Sequence, residues 1–381
     1  MRFRGFGLWV AVLALAVVLQ GCGGGRATQS GPPQSPASGG SSGSQSPASG
    51  GSSEAQSPAS GGGAEAPTAA ATSAAPPPVA TLGASVASHL PAVITGATPT
   101  ATPTISTVFV IMMENHNWSA IKGSGNAPYI NQTLLPMASH AEQYYNPPGN
   151  HPSLPNYLWL EAGTNFGIHD DGDPAAFHQS TTAHLVTLLA KAGVSWKSYQ
   201  ENIPGTTCPI TTADSYAARH NPMVFFDDVT NKNDPHSAYC ISHVRPYEEL
   251  AADLQNNRTA QYNFITPNIC HDMHNYCAPT FNPVRQGDSW LASAVPPILA
   301  SDAYKNGGAL IITWDEGEGS DGPIGMIVLS PFAKGHGYAS AVHYTHSSTL
   351  RTIQEIFKVR PLLGDAANAA DLSDLFDIPL D

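Results

Sequence analysis

Short apolar runs that stop abruptly at acidic, amide and histidine side chains constrain this chain more than any other feature. Runs at 107–113, 194–199, 262–266, 309–314 and 325–329 have strand length, and helix-like segments occupy 134–144, 181–192, 247–256, 288–301 and 348–357. Alternation of this kind predicts an α/β layered domain with a mostly parallel central sheet and helices on both faces. In such sheets ligands gather beyond the carboxyl ends of the strands. Polar residues that directly follow an apolar run are therefore the first candidates for chemistry.

Three runs end that way. Met113 is followed by Glu114 and Asn115; Thr266 by Pro267, Asn268 and then His271-Asp272-Met273-His274; Trp314 by Asp315 and Glu316. One such pair could simply begin a helix or solvate a loop. Oxygen-rich groups from three separate strand ends instead suit a divalent cation, without which the carboxylates would repel one another. Ser153, within His151-Pro152-Ser153-Leu154-Pro155-Asn156-Tyr157, precedes a predicted short helix over 154–162 closed by Gly163. Its hydroxyl is either a helix cap or a nucleophile at a positive helix end that favours an anion. A serine needs activation to attack, and coordination to a cation supplies it without a general base. His346, in His343-Tyr344-Thr345-His346-Ser347-Ser348, stands at the entrance of the last helix, placed to hold a phosphate oxygen or protonate a leaving alcohol. Capping by Ser347 or Ser348, with His346 a bystander, is the alternative. Arg219-His220-Asn221-Pro222 either shapes a substrate pocket or forms a turn.

The rest of the chain bounds the setting. Residues 1–22 read as a signal peptide, with Arg2 and Arg4 before an apolar run too short for an ordinary membrane span. Leu19-Gln20-Gly21-Cys22 resembles the lipobox of bacterial lipoproteins, which makes Cys22 the expected lipidation site; an ordinary secretory signal is the alternative. From 23 to 100 the chain is mostly Gly, Ser, Pro and Ala, with Gln-Ser-Pro-Ala-Ser-Gly-Gly starting at Gln34, Gln45 and Gln56. That composition has too little apolar surface to offset the entropy of ordering, so a flexible tether is expected, with one catalytic domain over 101–381. The expected location is the bacterial cell envelope, exported and lipid-anchored to its membrane, or else secreted. A net charge of −13 with only 16 Lys and Arg argues against an electrostatic nucleic-acid partner. The four cysteines beyond Cys22 form an even set in an exported chain, and Cys208–Cys240 and Cys270–Cys277 are the expected disulfides. A zinc site built from all four thiolates is the alternative.

These motifs, taken in order, resemble a known family. Met113-Glu114-Asn115, His151-Pro152-Ser153 with Asn156-Tyr157, Pro267-Asn268 with Asp272-Met273-His274, Gly287-Asp288 with Trp290, Trp314-Asp315-Glu316 and the late His346 are similar to the bacterial phosphoesterase family of secreted acid phosphatases and phospholipases C, including mycobacterial-type acid phosphatases active on phosphoinositides. The resemblance implies an alkaline-phosphatase-like α/β fold. It implies one divalent metal ion on Glu114, Asn115, Asp315 and Glu316, and attack by Ser153 on phosphorus to form a phosphoenzyme. Catalytic roles then fall to His274, His346 and His151, and substrate binding to Asn156, Asp272 and His220. Asn275 stands where the family often has Asp, and the ligands of a second metal are not apparent, so histidines are expected to replace the second cation. The expected activity is hydrolysis of phosphate monoesters by a monomer of the acid phosphatase type. A phospholipase C acting on phosphodiesters and a non-catalytic surface-binding lipoprotein are the alternatives.

Overall fold

The computed structural model describes residues 103–380. The expected signal peptide, the tether and the lipidation site Cys22 lie outside those residues. Eight strands, β1 (Thr107–Met113), β2 (Ser139–Tyr145), β3 (Trp196–Gln200), β4 (Val244–Pro246), β5 (Tyr262–Thr266), β6 (Gly308–Trp314), β7 (Met326–Leu329) and β8 (Tyr338–Thr345), form one sheet in the order β4-β3-β5-β1-β6-β7-β2-β8. Only β7 runs against its neighbours, β6 and β2; every other adjacent pair is parallel. The principal helices are α1 (Ser153–Ala162), α2 (Leu185–Lys191), α3 (Glu249–Gln255), α4 (Pro283–Ala300) and α5 (His346–Ile356). β1 and β6 are buried at every position, and because successive side chains point to opposite faces, both faces of the sheet centre are covered. Among the described residues no helix is long and apolar enough to cross a membrane.

Sheet register creates the site. Met113 pairs with Trp314 and Ile111 with Ile265, so β1, β5 and β6 finish on the same edge and bring Glu114, the loop after Thr266 and Asp315 together. The helix expected over 134–144 is a correction. A π-helical turn at Ile130–Leu134 and a short turn at Leu135–Met137 give way to β2, which lies between β7 and β8. Ala138, Ala141, Glu142 and Gln143 favour a helix locally. Pairing on both sides, together with burial of Ser139, His140, Ala141 and Tyr144, overrides that preference. The flanking strand β8 is half exposed, which hid its pattern in the sequence.

Two glycines allow close approaches that the site requires. Gly163 ends α1 at φ 69°, and a Cβ there would lie 2.3 Å from Leu363 O. Gly287 lets α4 press against the loop below the site, where a Cβ would meet Met273 Cγ at 2.3 Å and Met113 Cε at 2.9 Å. Asp288 beside it accepts the backbone N–H groups of Tyr129 and Ile130, and Trp290 donates to Glu201. The Gly287-Asp288-x-Trp290 motif is thus the packing foundation of the site.

α1 is also clamped at its far end. His184 is fully buried and stacked on Phe226, with Nδ1 3.0 Å from Glu161 Oε1 and Nε2 2.9 Å from Asp228 Oδ1. Burial depresses its affinity for a proton, but the hydrogen bonds to Asp228 and Glu161 outweigh that and hold His184 above the ordinary histidine value. Asp228 is held below its ordinary value, burial being outweighed by His184 and Thr187. The His184 contribution is therefore complete below the unfolded histidine pKa and lost as pH rises through the folded one; the Asp228 contribution is lost as pH falls through its own folded value. His184→Gln is expected to flatten the alkaline limb of a plot of melting temperature against pH. His184→Ala, which strands Glu161, should cost about 3 kcal/mol in denaturant unfolding.

Candidate active site

The side chains that leave the sheet edge meet at Ser153, the first residue of α1. Ser153 Oγ donates to Glu114 Oε2 at 3.0 Å. One turn on, Tyr157 donates a hydrogen bond to Glu114 Oε1. Asn115, in the left-handed region at φ 39°, turns the chain so that its backbone N–H reaches Asp315 Oδ1 at 3.0 Å. The backbone ties the strand ends directly, Glu114 N–H to Asp272 O at 2.7 Å and Asp315 N–H to Met113 O at 3.0 Å. His220 completes the ring. Stacked flat on Tyr157, it sets Nε2 3.4 Å from Glu114 Oε1 and Nδ1 3.2 Å from Asp272 Oδ2.

The electrostatics of this cluster call for a positive charge. Burial, reinforced by Asp315 and Asp272, pushes Glu114 well above the ordinary carboxyl range. Burial likewise raises Asp272 well above it and lifts Asp315 to about 6; Glu316 is lifted to about 9 by burial and then by Asp315 and Asp171. His220 is forced well below its ordinary value by burial, then by Arg219 and His274, so its ring is neutral and offers a lone pair. Both its nitrogens, and Asp272 Oδ2, are buried without a well-formed hydrogen bond among the described residues. The Asn115 amide is equally telling. One of its terminal atoms lies 3.0 Å from both Asp315 Oδ1 and Glu114 Oε2. An NH2 in that position donates to both carboxylates, whereas a carbonyl oxygen there completes a three-oxygen cluster that only a cation reconciles. A second group sharing Glu114 is formed with His220 and His274, whose ligand atoms all lie within 4.8 Å of one another. Donors of both kinds fit a divalent metal.

The expected residues fall into three places. Glu114, Asn115, Ser153, Asp315, Asp272, His220 and His274 converge on the centre. Glu316, Asn156 and His151 form a rim, where Glu316 Oε2 accepts from Asn156 Nδ2 at 2.8 Å and lies 2.8 Å from His151 Nδ1. Beyond that rim opens a cleft of about 440 Å³ lined by Asn115, His151, Glu316 and residues 317–321. His346 needs correcting. It is fully buried, with Nε2 2.6 Å from Asp315 O and Nδ1 3.0 Å from Tyr144 OH, and burial lowers it to about 4. It is a buried strut behind Asp315, at the first residue of α5 after the Thr345 cap. Sequence reasoning left Tyr157 without a role. Its place one helical turn after Ser153 puts both on one face and was the available signal.

A disulfide closes the loop that carries two of these groups. Cys270 is bonded to Cys277 and Cys208 to Cys240, which uses all four cysteines of the described residues. Inside the eight-residue ring from 270 to 277, Asp272 accepts the His274 N–H at 2.8 Å, and Met273 sits at φ 84° with its sulfur 3.4 Å from Trp314 Nε1. Such a backbone conformation persists only where its surroundings fix it. Cys270→Ser with Cys277→Ser is expected to lower turnover about tenfold or more while the melting temperature changes little, because the ring is short and constrains the unfolded chain weakly. Paired activity and melting measurements check this.

Comparison with known proteins places this geometry in context. The model of the Phosphoesterase family matches residues 138–360. A phosphatidylinositol-3-phosphatase of Mycobacterium tuberculosis is 29% identical over 299 residues, which cover 78% of this chain and 91% of that protein. A probable acid phosphatase of Kluyveromyces lactis is 27% identical over 217 residues (55% of this chain, 47% of that one), and a phospholipase C B of Mycobacterium tuberculosis 28% over 213 (45% and 38%). Among solved structures, a lipoteichoic acid synthase of Listeria monocytogenes overlaps at a TM-score of 0.49 and 10% identity, covering 70% of this chain and 77% of that one. An alkaline phosphatase superfamily protein of Vibrio parahaemolyticus overlaps at 0.46 and 10%, covering 72% of each. With more than half its length matched, this chain belongs to the phosphoesterase family.

Proposed function

We propose that this phosphoesterase is an exported, lipid-anchored phosphatase that hydrolyses phosphate monoesters through a phosphoenzyme on Ser153. The observation that carries the reading is the Ser153 hydroxyl, buried at the first residue of a ten-residue helix and held by Glu114. Glu114, Asn115 and Asp315, with Glu316 beside them, would hold one divalent cation, which would neutralise the buried carboxylates and favour the ionised serine oxygen. The protein's part is positioning. Glu114 orients Ser153 Oγ and takes its proton as Oγ attacks, so the bond from Oγ to phosphorus forms in line with the breaking bond to the leaving oxygen. His220 and His274 face the transferred group, and His274 delivers the proton that the departing alcohol needs. Water then opens the bond from Oγ to phosphorus, releasing phosphate and restoring the hydroxyl. The monoester preference is supported by the name of the mycobacterial 3-phosphatase, aligned over 91% of its length.

The test is a phosphate-release panel of nucleotides, sugar phosphates, phosphoinositides and phosphatidylcholine, run with and without chelator from acidic to alkaline pH. Chelator-sensitive turnover of monoesters is expected. Diacylglycerol release from phosphatidylcholine without monoester turnover would overturn the proposal in favour of a phospholipase C. Metal binding with no turnover of any ester would favour a surface-binding role.

A further inference from the structure

Between α1 and His274 lies a charged pair with no part in the chemistry above. Asp171, on the loop after α1, accepts the Leu154 N–H with Oδ1 at 3.0 Å, while its Oδ2 lies 3.2 Å from Arg219 Nε. Leu154 directly follows Ser153, so this carboxylate occupies the N-terminal donor next to the nucleophile. Arg219 extends from there to His274, with Nη2 3.4 Å from Nε2. The Arg219 charge also reaches Glu114 and Asp272, and that of Asp171 reaches Glu316, so both members of the pair lie within electrostatic range of the site.

We propose that Arg219 and the Leu154 N–H form the grip for the transferring phosphoryl group, and that Asp171 occupies this grip in the free protein and yields it when phosphate arrives. A carboxylate on a helix-end N–H and a guanidinium is the arrangement a phosphate adopts on the same donors. Phosphate carries more charge and a third oxygen, so it outcompetes a carboxylate at these donors. The fit of Arg219 to Asp171 is itself incomplete. Arg219 Nε is buried and, despite the 3.2 Å separation, has no aligned hydrogen bond among the described residues. Partly exposed ion pairs contribute little to stability, so stability alone gives this pair little purpose.

This inference rests on Ser153 as the reacting residue, but its test does not. Inorganic phosphate is titrated as a competitive inhibitor of p-nitrophenyl phosphate hydrolysis, and by calorimetry, using the full chain at a fixed concentration of the divalent cation that supports turnover. Asp171→Asn keeps an acceptor for the Leu154 N–H and removes the charge. It is expected to tighten phosphate binding and lower KM severalfold. Arg219→Gln should weaken phosphate binding about tenfold or more, the loss of one charge-assisted hydrogen bond, with Arg219→Lys intermediate. In the double variant the advantage of Asp171→Asn should disappear. Unchanged phosphate affinity in Arg219→Gln, or weaker affinity in Asp171→Asn, overturns the proposal. Calorimetry in the Ser153→Ala background separates the two ideas: if Ser153→Ala retains turnover the phosphoenzyme reading fails, while the order of phosphate affinities still decides the role of Arg219.

Discussion

Ser153→Ala is expected to reduce phosphate release by about four orders of magnitude or more, the scale on which loss of an attacking hydroxyl is felt. No neighbouring group can take over. Tyr157 is another hydroxyl bonded to Glu114, and its proton is committed there; burial and the surrounding carboxylates hold it well above its ordinary value, so it does not ionise. The fold should tolerate the change. Ser153 is not the helix cap, a place taken by Pro152, and its hydroxyl contributes nothing to the α1 backbone hydrogen bonds. Rapid-quench labelling with a monoester should show a phosphorylated parent and an unlabelled variant of unchanged melting temperature. Labelling that persists in the variant would place the phosphoenzyme on another residue.

Glu114→Gln should lose the cation and turnover together, with metal affinity falling more than about a hundredfold, since even groups that only support metal ligands cost about ten- to a hundredfold when removed. Glu114 is singled out because both donor groups share it: the oxygens of Asn115 and Asp315 on one side, His220 and His274 on the other. Metal content per chain after gel filtration is the measurement. Asp315→Asn and His274→Ala divide the result further. If the cation lies with the oxygens, Asp315→Asn strips it and His274→Ala leaves it bound with impaired turnover. The reverse pattern would move the cation to the histidine side. Removing one carboxylate also relieves the repulsion among Glu114, Asp272 and Asp315, so Glu114→Gln is expected to melt at least as high as the cation-free parent.

What could be read without the structure was local. A buried strand announces itself by an apolar run, so β1, β5 and β6 and the polar groups after them were visible, as was α1 with its closing Gly163. The residue types at those strand ends already implied a cation, because carboxylates do not gather without one. The helix expected over 134–144 failed because β2 exists only through β7 and β8, which follow it by almost two hundred residues.

The same distinction runs through the site. Sequence alone singled out Glu114, Ser153 and Asp315 as candidates, through residue type and position beside a strand end or helix start. Tertiary structure alone decided how they are placed. Register across β1 and β6 set Asn115 against Asp315, the start of α5 set His346 behind Asp315, and the loop after α1 returned Asp171 to the donor beside Ser153. Propensity and periodicity act over a few neighbouring residues, whereas the pairs that make this centre are up to two hundred residues apart and meet only once the sheet has fixed its register.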